Sequence, residues 1–561
     1  CGLYFGSQYV HYSNDCGKSW NIISPDLTTN DTIKQNQSKS GGLTLDITGA
    51  ENHTTILSIA PSPHDENVIY VGTDDGNLQQ TKDGGTTWTN LNNKLPGMPK
   101  FAFIPQIEVS KTNPNEVFVV INNYRNNDWT PFLYHSTDNG TTWRRIVDNN
   151  DVDGFVCSVV QDPKNENLIF LGTDVGLYVS FDHGQNWIKW KKGLPPVQIR
   201  DTKIQTEFDD LVLGTFGRSF WVLDDIKPLR AMADSKMETL NSDFAVFESG
   251  TAYQTSRRSY DGIRFNAQGE FVGDNRRGGA VFTIWKKPKE KEEEKKEEVT
   301  KDKKSKKSKK DKKTEKKKDK DESVDDKDKD EEDDDKKPKL KKDEVQIMAI
   351  NLQGDTVRTF KRKLKEGMNR VGWNPDTKGV DFPSKRDRKE KSEPGGMPII
   401  PGIYKMVFVH GDYKDSTTLE VALDPRIDKA YFNPQAKYDA MKAYNNKIEK
   451  IAQAFDNLKS AKKSMKLYKQ IIDVQPDTVK KEYSKTHKAI AGQIDSLMNL
   501  YMLPEAKKVE YRDDSKTLMS KIYGGTRFLR TSAGAPTPNG QNAINTALKA
   551  SNKVIEGINT F

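Results

Sequence analysis

Four stretches of this chain share one pattern. Ser13-Asn14-Asp15-Cys16-Gly17-Lys18-Ser19-Trp20, Thr81-Lys82-Asp83-Gly84-Gly85-Thr86-Thr87-Trp88, Ser136-Thr137-Asp138-Asn139-Gly140-Thr141-Thr142-Trp143 and Ser180-Phe181-Asp182-His183-Gly184-Gln185-Asn186-Trp187 each read Ser/Thr-x-Asp-x-Gly-x-x-Trp. A unit repeated at a fixed pattern constrains the fold more than any composition does. The chemistry of the unit is that of a tight turn. Asp accepts backbone N–H bonds across it, Gly supplies a positive φ, and Ser or Thr adds a small hydroxyl partner. Trp needs an apolar wall and a partner for its indole N–H. Asp15, Asp83, Asp138 and Asp182, with Gly17, Gly85, Gly140 and Gly184 and Trp20, Trp88, Trp143 and Trp187, are therefore expected to be structural. Their carboxylates are occupied by the turn and are not free for catalysis.

Between the turns a second pattern recurs. Asn67-Val68-Ile69-Tyr70-Val71-Gly72-Thr73-Asp74 returns as Asn167-Leu168-Ile169-Phe170-Leu171-Gly172-Thr173-Asp174, and Asp210-Leu211-Val212-Leu213-Gly214-Thr215 is a version without the Asp turn. Short β-branched and aromatic runs bounded by Gly, Pro, Asn and Asp are strands. The turn unit resembles the Asp-box (BNR) hairpin, which in its families joins the two outer strands of a β-propeller blade. The resemblance implies that residues 1–229 are propeller blades, about four of them, beginning inside one. Propellers close with 4–8 blades as a rule; the visible set could close alone only as a very small ring, and an incomplete ring with blades missing upstream is expected. Cys1 stands directly before a strand-like run, so the sequence is expected to start inside a longer chain.

The 561 residues call for several domains. Residues 230–278 read as a wrapping linker. From 286 to 342 the sequence is Lys, Glu and Asp with almost nothing apolar, and such a run does not offset its own ordering entropy. It is expected to be a disordered insert of mixed charge. Around it, 279–426 reads as a small Ig-like β-sandwich of short strands with Trp373 as a core anchor. After Asp424-Pro425-Arg426 the period changes. Met441, Tyr444, Ile448, Ile451, Phe455 and Leu458 follow helical spacing, as do Ile490, Ile494, Leu497 and Tyr501, then Ile544, Leu548, Ile555 and Ile558. Residues 427–561 are thus expected to form a helical hairpin or bundle. The fold class is mainly β, with a helical C-terminal part.

The order of parts carries a second resemblance. Leu3-Tyr4-Phe5-Gly6-Ser7-Gln8, Ser24-Pro25-Asp26-Leu27-Thr28, Gly217-Arg218-Ser219-Phe220-Trp221-Val222-Leu223-Asp224-Asp225 and Pro401-Gly402-Ile403-Tyr404 are similar to stretches of large secreted bacterial proteins of the BNR-repeat "glycosyl hydrolase" and sortilin (VPS10)-like kind. The resemblance implies an extracytoplasmic protein. It also implies ligand binding through propeller loops, with a peptide, a protein or a glycan as ligand.

The residues offer little chemistry beyond this. Three cysteines give no disulfide framework and no zinc spacing. The seven histidines form no HExxH motif and no close pair in sequence, and no P-loop, GxSxG or dinucleotide fingerprint is present. No metal and no cofactor is expected. A net charge of +8 over this length gives no argument for nucleic acid, and no apolar run is long enough to span a bilayer. Oligomeric state is left open. Glycoside hydrolysis needs two carboxylates roughly 5–9.5 Å apart. Candidates outside the repeated turns are Asp74, Asp75 and Asp174, which sit in repeated Gly-Thr-Asp turns, and Asp224 and Asp225, which follow the last blade strand. In xyloglucanase-like propellers the acid and base come from different propellers, and neither maps onto this chain. Tyr124 and Trp129, in an irregular loop, are the candidates for ligand contact. The expected function is binding. The alternative is a glycoside hydrolase whose acid/base pair lies partly outside this sequence.

Overall fold

The computed structural model describes residues 2–36, 53–254, 276, 278–288, 340–385, 395–426, 432–503, 513–532 and 534–560. Five antiparallel sheets follow one another from the N-terminus. They are β1 (Leu3–Gly6), β2 (Val10–Ser13) and β3 (Asn21–Ile22); β4 (Ile56–Pro61), β5 (Ile69–Thr73), β6 (Leu78–Thr81) and β7 (Thr89–Asn90); β8 (Phe103–Val109), β9 (Val117–Asn123), β10 (Asp128–Ser136) and β11 (Arg144–Arg145); β12 (Val156–Asp162), β13 (Asn165–Thr173), β14 (Gly176–Ser180) and β15 (Ile188–Lys189); and β16 (Ile199–Gln205), β17 (Asp210–Thr215) and β18 (Phe220–Leu223). The first strands β4, β8, β12 and β16 lie side by side, and β1 packs beside β4. This is a row of propeller blades, each sheet stacked on the next. Among the described residues there are five sheets where the repeats pointed to about four blades, and the run Asp210–Thr215, the version without the Asp turn, is the middle strand of the last. Among the described residues the first sheet has no counterpart of β4, the inner strand of the second.

Stacking depends on a glycine in the second strand. A Cβ on Gly72 would lie 2.4 Å from Cγ2 of Ile104 in the next blade. On Gly6 it would lie 2.8 Å from Cγ2 of Ile56, and on Gly172 2.7 Å from the carbonyl oxygen of Ile199. In each case the bare backbone lets the next blade's inner strand close in. In β9 the equivalent place holds Val120, buried in one cluster with Val156 of β12. Gly214 occupies the same register in β17, but a Cβ there meets only Asp201 of its own sheet, at 3.6 Å or more. Around it Phe216, Phe220 and Val222 are exposed, as are Leu3, Phe5 and Ile22 on the first sheet.

After β18 the chain forms α1 (Lys227–Asp234), then β19 (Phe244–Val246), β20 (Ala252–Gln254), β21 (Ala280–Lys286), β22 (Glu344–Ile350), β23 (Thr356–Lys363), β24 (Gly367–Trp373), β25 (Gly402–His410) and β26 (Tyr413–Leu423). Two sheets, in the orders β19-β21-β24 and β20-β26-β25-β22-β23, enclose one core containing Phe282, Ile347, Phe408 and Trp373. The described part of the expected wrapping linker over 230–278 therefore holds the end of α1 and two sandwich strands. Strand β19 falls on the run Phe244-Ala245-Val246-Phe247, which reads as a short strand in sequence, whereas the three-residue β20 carries too little pattern and joins its sheet by parallel pairing with β26. Arg230 of α1 donates to both oxygens of Asp162, at 2.9 and 2.8 Å, and pairs with Asp209 at 2.7 Å, fastening α1 to the last two blades. The expectation of disorder over 286–342 falls almost wholly outside the described residues.

Four helices end the chain: α2 (Pro434–Asp473), α3 (Asp477–Tyr501), α4 (Leu518–Thr531) and α5 (Pro538–Asn559). Asn433 and Thr537 cap α2 and α5 through side-chain bonds to Ala436 and Gly540. The helical stripe Met441 to Leu458 is buried against Ile494, Ile522 and Ile544. Helix α4 lies outside the three helical stripes read from sequence spacing. Gly525 is needed by packing: a Cβ there would lie 2.5 Å from the Tyr444 hydroxyl. No described helix is long and apolar enough to cross a membrane.

The glycine contacts make a paired prediction. Gly172→Ala should destabilise the protein by about 1–3 kcal/mol, since backbone must move to admit the methyl. Gly214→Ala should stay within about 0.5 kcal/mol of wild type. Chemical denaturation of both variants checks this; equal stabilities would remove the stacking role assigned to Gly172.

Candidate functional site

The four repeated turns are built alike. Asp15 accepts from the backbone N–H of Lys18 and Ser19 and from the hydroxyls of Ser13 and Ser19, all within 3.0 Å. Asp83, Asp138 and Asp182 repeat the arrangement with Thr87, Thr142 and Asn186. Backbone and side-chain hydrogen bonds from Ser19 and Thr87 hold the Asp15 and Asp83 carboxyls down at about 2. Each turn has two consecutive residues at positive φ: Cys16-Gly17, Gly84-Gly85, Asn139-Gly140 and His183-Gly184. The glycine of the motif is the second of these. The Trp88 indole donates to the carbonyls of Ile23 and Gly85, and that of Trp143 to Gly140. Trp20, on the first sheet, is 43% exposed.

In the third and fourth turns the first of the two left-handed residues reaches across to the preceding blade. Asn139 accepts from the Tyr70 hydroxyl at 2.7 Å and from Gln80 at 3.1 Å. In the next turn the same place holds His183, whose Nε2 bonds Oε1 of Glu116. His135, the counterpart of Gln80, bonds that same oxygen at 2.7 Å, and Gln161 donates to the other at 2.9 Å. Two histidines far apart in sequence thus stand with ring centroids 5.4 Å apart. Sequence reading missed this pairing; the signal for it was that His183 fills the position of Asn139.

Among the described residues, Glu116, His135 and His183 form the group with metal-ligand chemistry, their ligand atoms all within 4.8 Å. The surroundings fit an ion poorly. A metal-bound imidazole donates its other N–H to an acceptor. Nδ1 of His135 instead faces the guanidinium of Arg144 at 3.3 Å, which has no acceptor to offer. Nδ1 is therefore the acceptor and Nε2 carries the proton given to Glu116. The group is a hydrogen-bonded clasp between two blades, with His135 stacked on Phe118 at 4.5 Å.

The remaining candidates divide into two places. Asp224 and Asp225 lie where the last blade meets the sandwich. They line a cavity of about 110 Å³ with Gly250, Arg276 and Arg370. Arg370 donates to the backbone carbonyls of both, and burial pushes the Asp225 carboxyl up against the opposing charges of Lys227, Arg370 and Arg276. Small-molecule sites run to roughly 300–1,000 Å³, and this cavity is smaller. Asp74 and Asp75 are bound within the blade junction, accepting from Thr55 and Thr29. Asp174 is packed against Gly154.

Tyr124 and Trp129 lie on the edge where β9 turns into β10. Tyr124 stacks on Phe155 at 4.7 Å, Trp129 lies 5.5 Å from the same ring, and Phe103 is 6.2 Å from Tyr124. Arg125 covers the Phe103 ring at 4.4 Å. Rings from the start of β8, the β9–β10 turn and the start of β12 so form one platform across two blades. Phe155 is buried beneath it and Trp129 is 53% exposed. The nearby carboxylates are engaged: Asp128 by Asn123 and Thr130, Asp153 by Tyr178 and Lys189.

Residues 8–157, from before β2 into β12, match the family described as Sortilin, neurotensin receptor 3. Solved structures that resemble the chain include an ancestral GH74 enzyme, at 16% identity over 51% of this chain and 35% of that one, with a TM-score of 0.29. The GH74 xyloglucanase from Xanthomonas campestris is 14% identical over 40% and 34%, with a TM-score of 0.29. YCF48 bound to D1 peptide is 19% identical over 30% and 54%, with a TM-score of 0.23. The chain spans about a third of the length of the GH74 structures. No curated protein matches the sequence.

The clasp makes stability depend on pH. The hydrogen bond to Glu116 raises the His183 pKa against its burial. A raised histidine contributes fully below its unfolded value, about 6.5, and loses the contribution as pH rises through the native value. Wild-type melting temperature should therefore fall on the alkaline side of about pH 6.5. The loss should correspond to about 1.5–3 kcal/mol for a charge-assisted bond. His183→Asn, which copies Asn139, should lack this slope. Parallel slopes in thermal scans of the two proteins would refute the clasp.

Proposed function

We propose that this chain is part of an extracytoplasmic binding propeller that holds a peptide or glycan ligand on the platform of Phe103, Tyr124, Trp129 and Phe155. The observation that carries this reading is the half-exposed Trp129, seated on rings that belong to rigid blades. An aromatic face already held in place offers contact area at little entropic cost on binding. Arg125 beside it adds a planar cation that can pair with an acidic group or cover a ring. The carboxylates around the platform are taken up by protein donors, which favours binding over acid/base chemistry there. The glycoside hydrolase alternative would rest on Asp224 and Asp225, and the small volume beside them weighs against it.

Trp129→Ala tests the reading. Its side chain is more than half exposed, so melting should shift by no more than a few degrees. Affinity should fall roughly tenfold to a hundredfold, as for an aromatic anchor. Tryptophan fluorescence titrations with polysaccharides and with unstructured peptides separate the two ligand classes. Unchanged affinity in the variant for whichever ligand binds would sink the platform. Reducing-sugar release by wild type, lost in Asp225→Asn, would establish the hydrolase instead.

A further inference from the structure

The hairpin of α2 and α3 extends well beyond the helical core. Buried residues of α2 stop at Leu458, and those of α3 begin at Ile494. The outer part, residues 459–488, is thus a two-helix projection with no third helix against it among the described residues. Its seam is lined by Ala461, Met465 and Ile472, all half-buried. Helical spacing puts Leu467, Ile471 and Val474 on another face, and these are 61, 56 and 79% exposed. Tyr468, Val479 and Tyr483 add to the exposed apolar surface. The same 30-odd positions carry nine lysines against three carboxylates.

From this combination we propose that the hairpin tip docks on an anionic membrane surface. Three features select that occupant. The net positive charge calls for a negative partner and opposes a second copy, which would bring two basic tips together. The exposed apolar residues Leu467, Tyr468 and Ile471 run along α2 to its end, with Val474 immediately after its last residue, a placement that suits insertion into a soft interface. The lysine stems are long enough to keep their ammonium groups among lipid phosphates while Leu467, Ile471 and Val474 enter the acyl boundary. Basic residues near an anionic leaflet each add to the attraction, and salt weakens it.

The test uses the whole chain in flotation with phosphatidylcholine vesicles that do or do not contain phosphatidylglycerol. Wild type should float with the anionic vesicles at low salt, be released by high salt, and ignore pure phosphatidylcholine. The variant Leu467→Ser/Ile471→Ser/Val474→Ser changes exposed positions only, and unchanged helical circular dichroism confirms that it folds. It should bind the anionic vesicles about tenfold more weakly. A second variant, Lys466→Glu/Lys485→Glu, should lose binding through charge alone. Equal binding by wild type and the triple serine variant would reduce the tip to a charged adsorption patch and overturn the proposal. Binding to soluble polyglutamate with none to vesicles would overturn it in favour of an acidic protein partner.

Discussion

The blades stand together because sheets can approach each other closely at one place. Sheet faces normally pack about 10 Å apart with side chains between them. Near the axis of a propeller there is less room than that. Gly6, Gly72 and Gly172 remove a side chain there, and Ile56, Ile104 and Ile199 of the following blade fill the space. Between the third and fourth blades Val120, packed with Val156, takes the place of this glycine contact. The platform under Trp129 exists because β8 and β12 are held beside one another, which brings Phe103, Tyr124 and Phe155 from three separate segments into one stack. The same register in β17, at Gly214, faces no further blade, and apolar residues are left bare around it.

The outer edge of the ring is governed by the turns. Each spends an aspartate on its own backbone, so the residue type most suggestive of hydrolytic chemistry is consumed by structure. What the turn leaves free is the first left-handed residue. Its identity varies, and so does the bond between blades: Asn139 makes a neutral contact to Tyr70 and Gln80, while His183 makes a charged one to Glu116. Burial of Glu116 opposes its ionisation, yet the bonds from His135, His183 and Gln161 together outweigh it and hold the carboxyl well below its ordinary range. One position in a repeated motif thereby converts an indifferent junction into a titratable one.

Much of the architecture was legible in order along the chain. The repeated turns, the alternating runs and the stripe from Met441 to Leu458 all report local periodicity, and local periodicity is what a sequence displays. What escaped detection was set by distant partners. Helix α4 carries Gly525 where Tyr444, some eighty residues earlier, needs the space. Strand β20 is three residues long and is held by parallel pairing with β26, far downstream. The charge clasp joins positions 116, 135 and 183, and no spacing rule connects them.

The sequence by itself determined the turn chemistry, the strand and helix periods, and the amphipathic basic hairpin, since each follows from residues within a few positions of one another. Tertiary structure alone decided which side chains share a site. It confined Asp224 and Asp225 to a cavity of about 110 Å³ under Arg370, seated Trp129 on Phe155, and joined two histidines through one glutamate. The reason is geometric: contacts across blades are fixed by how the sheets stack, and stacking is a property of the whole ring rather than of any segment.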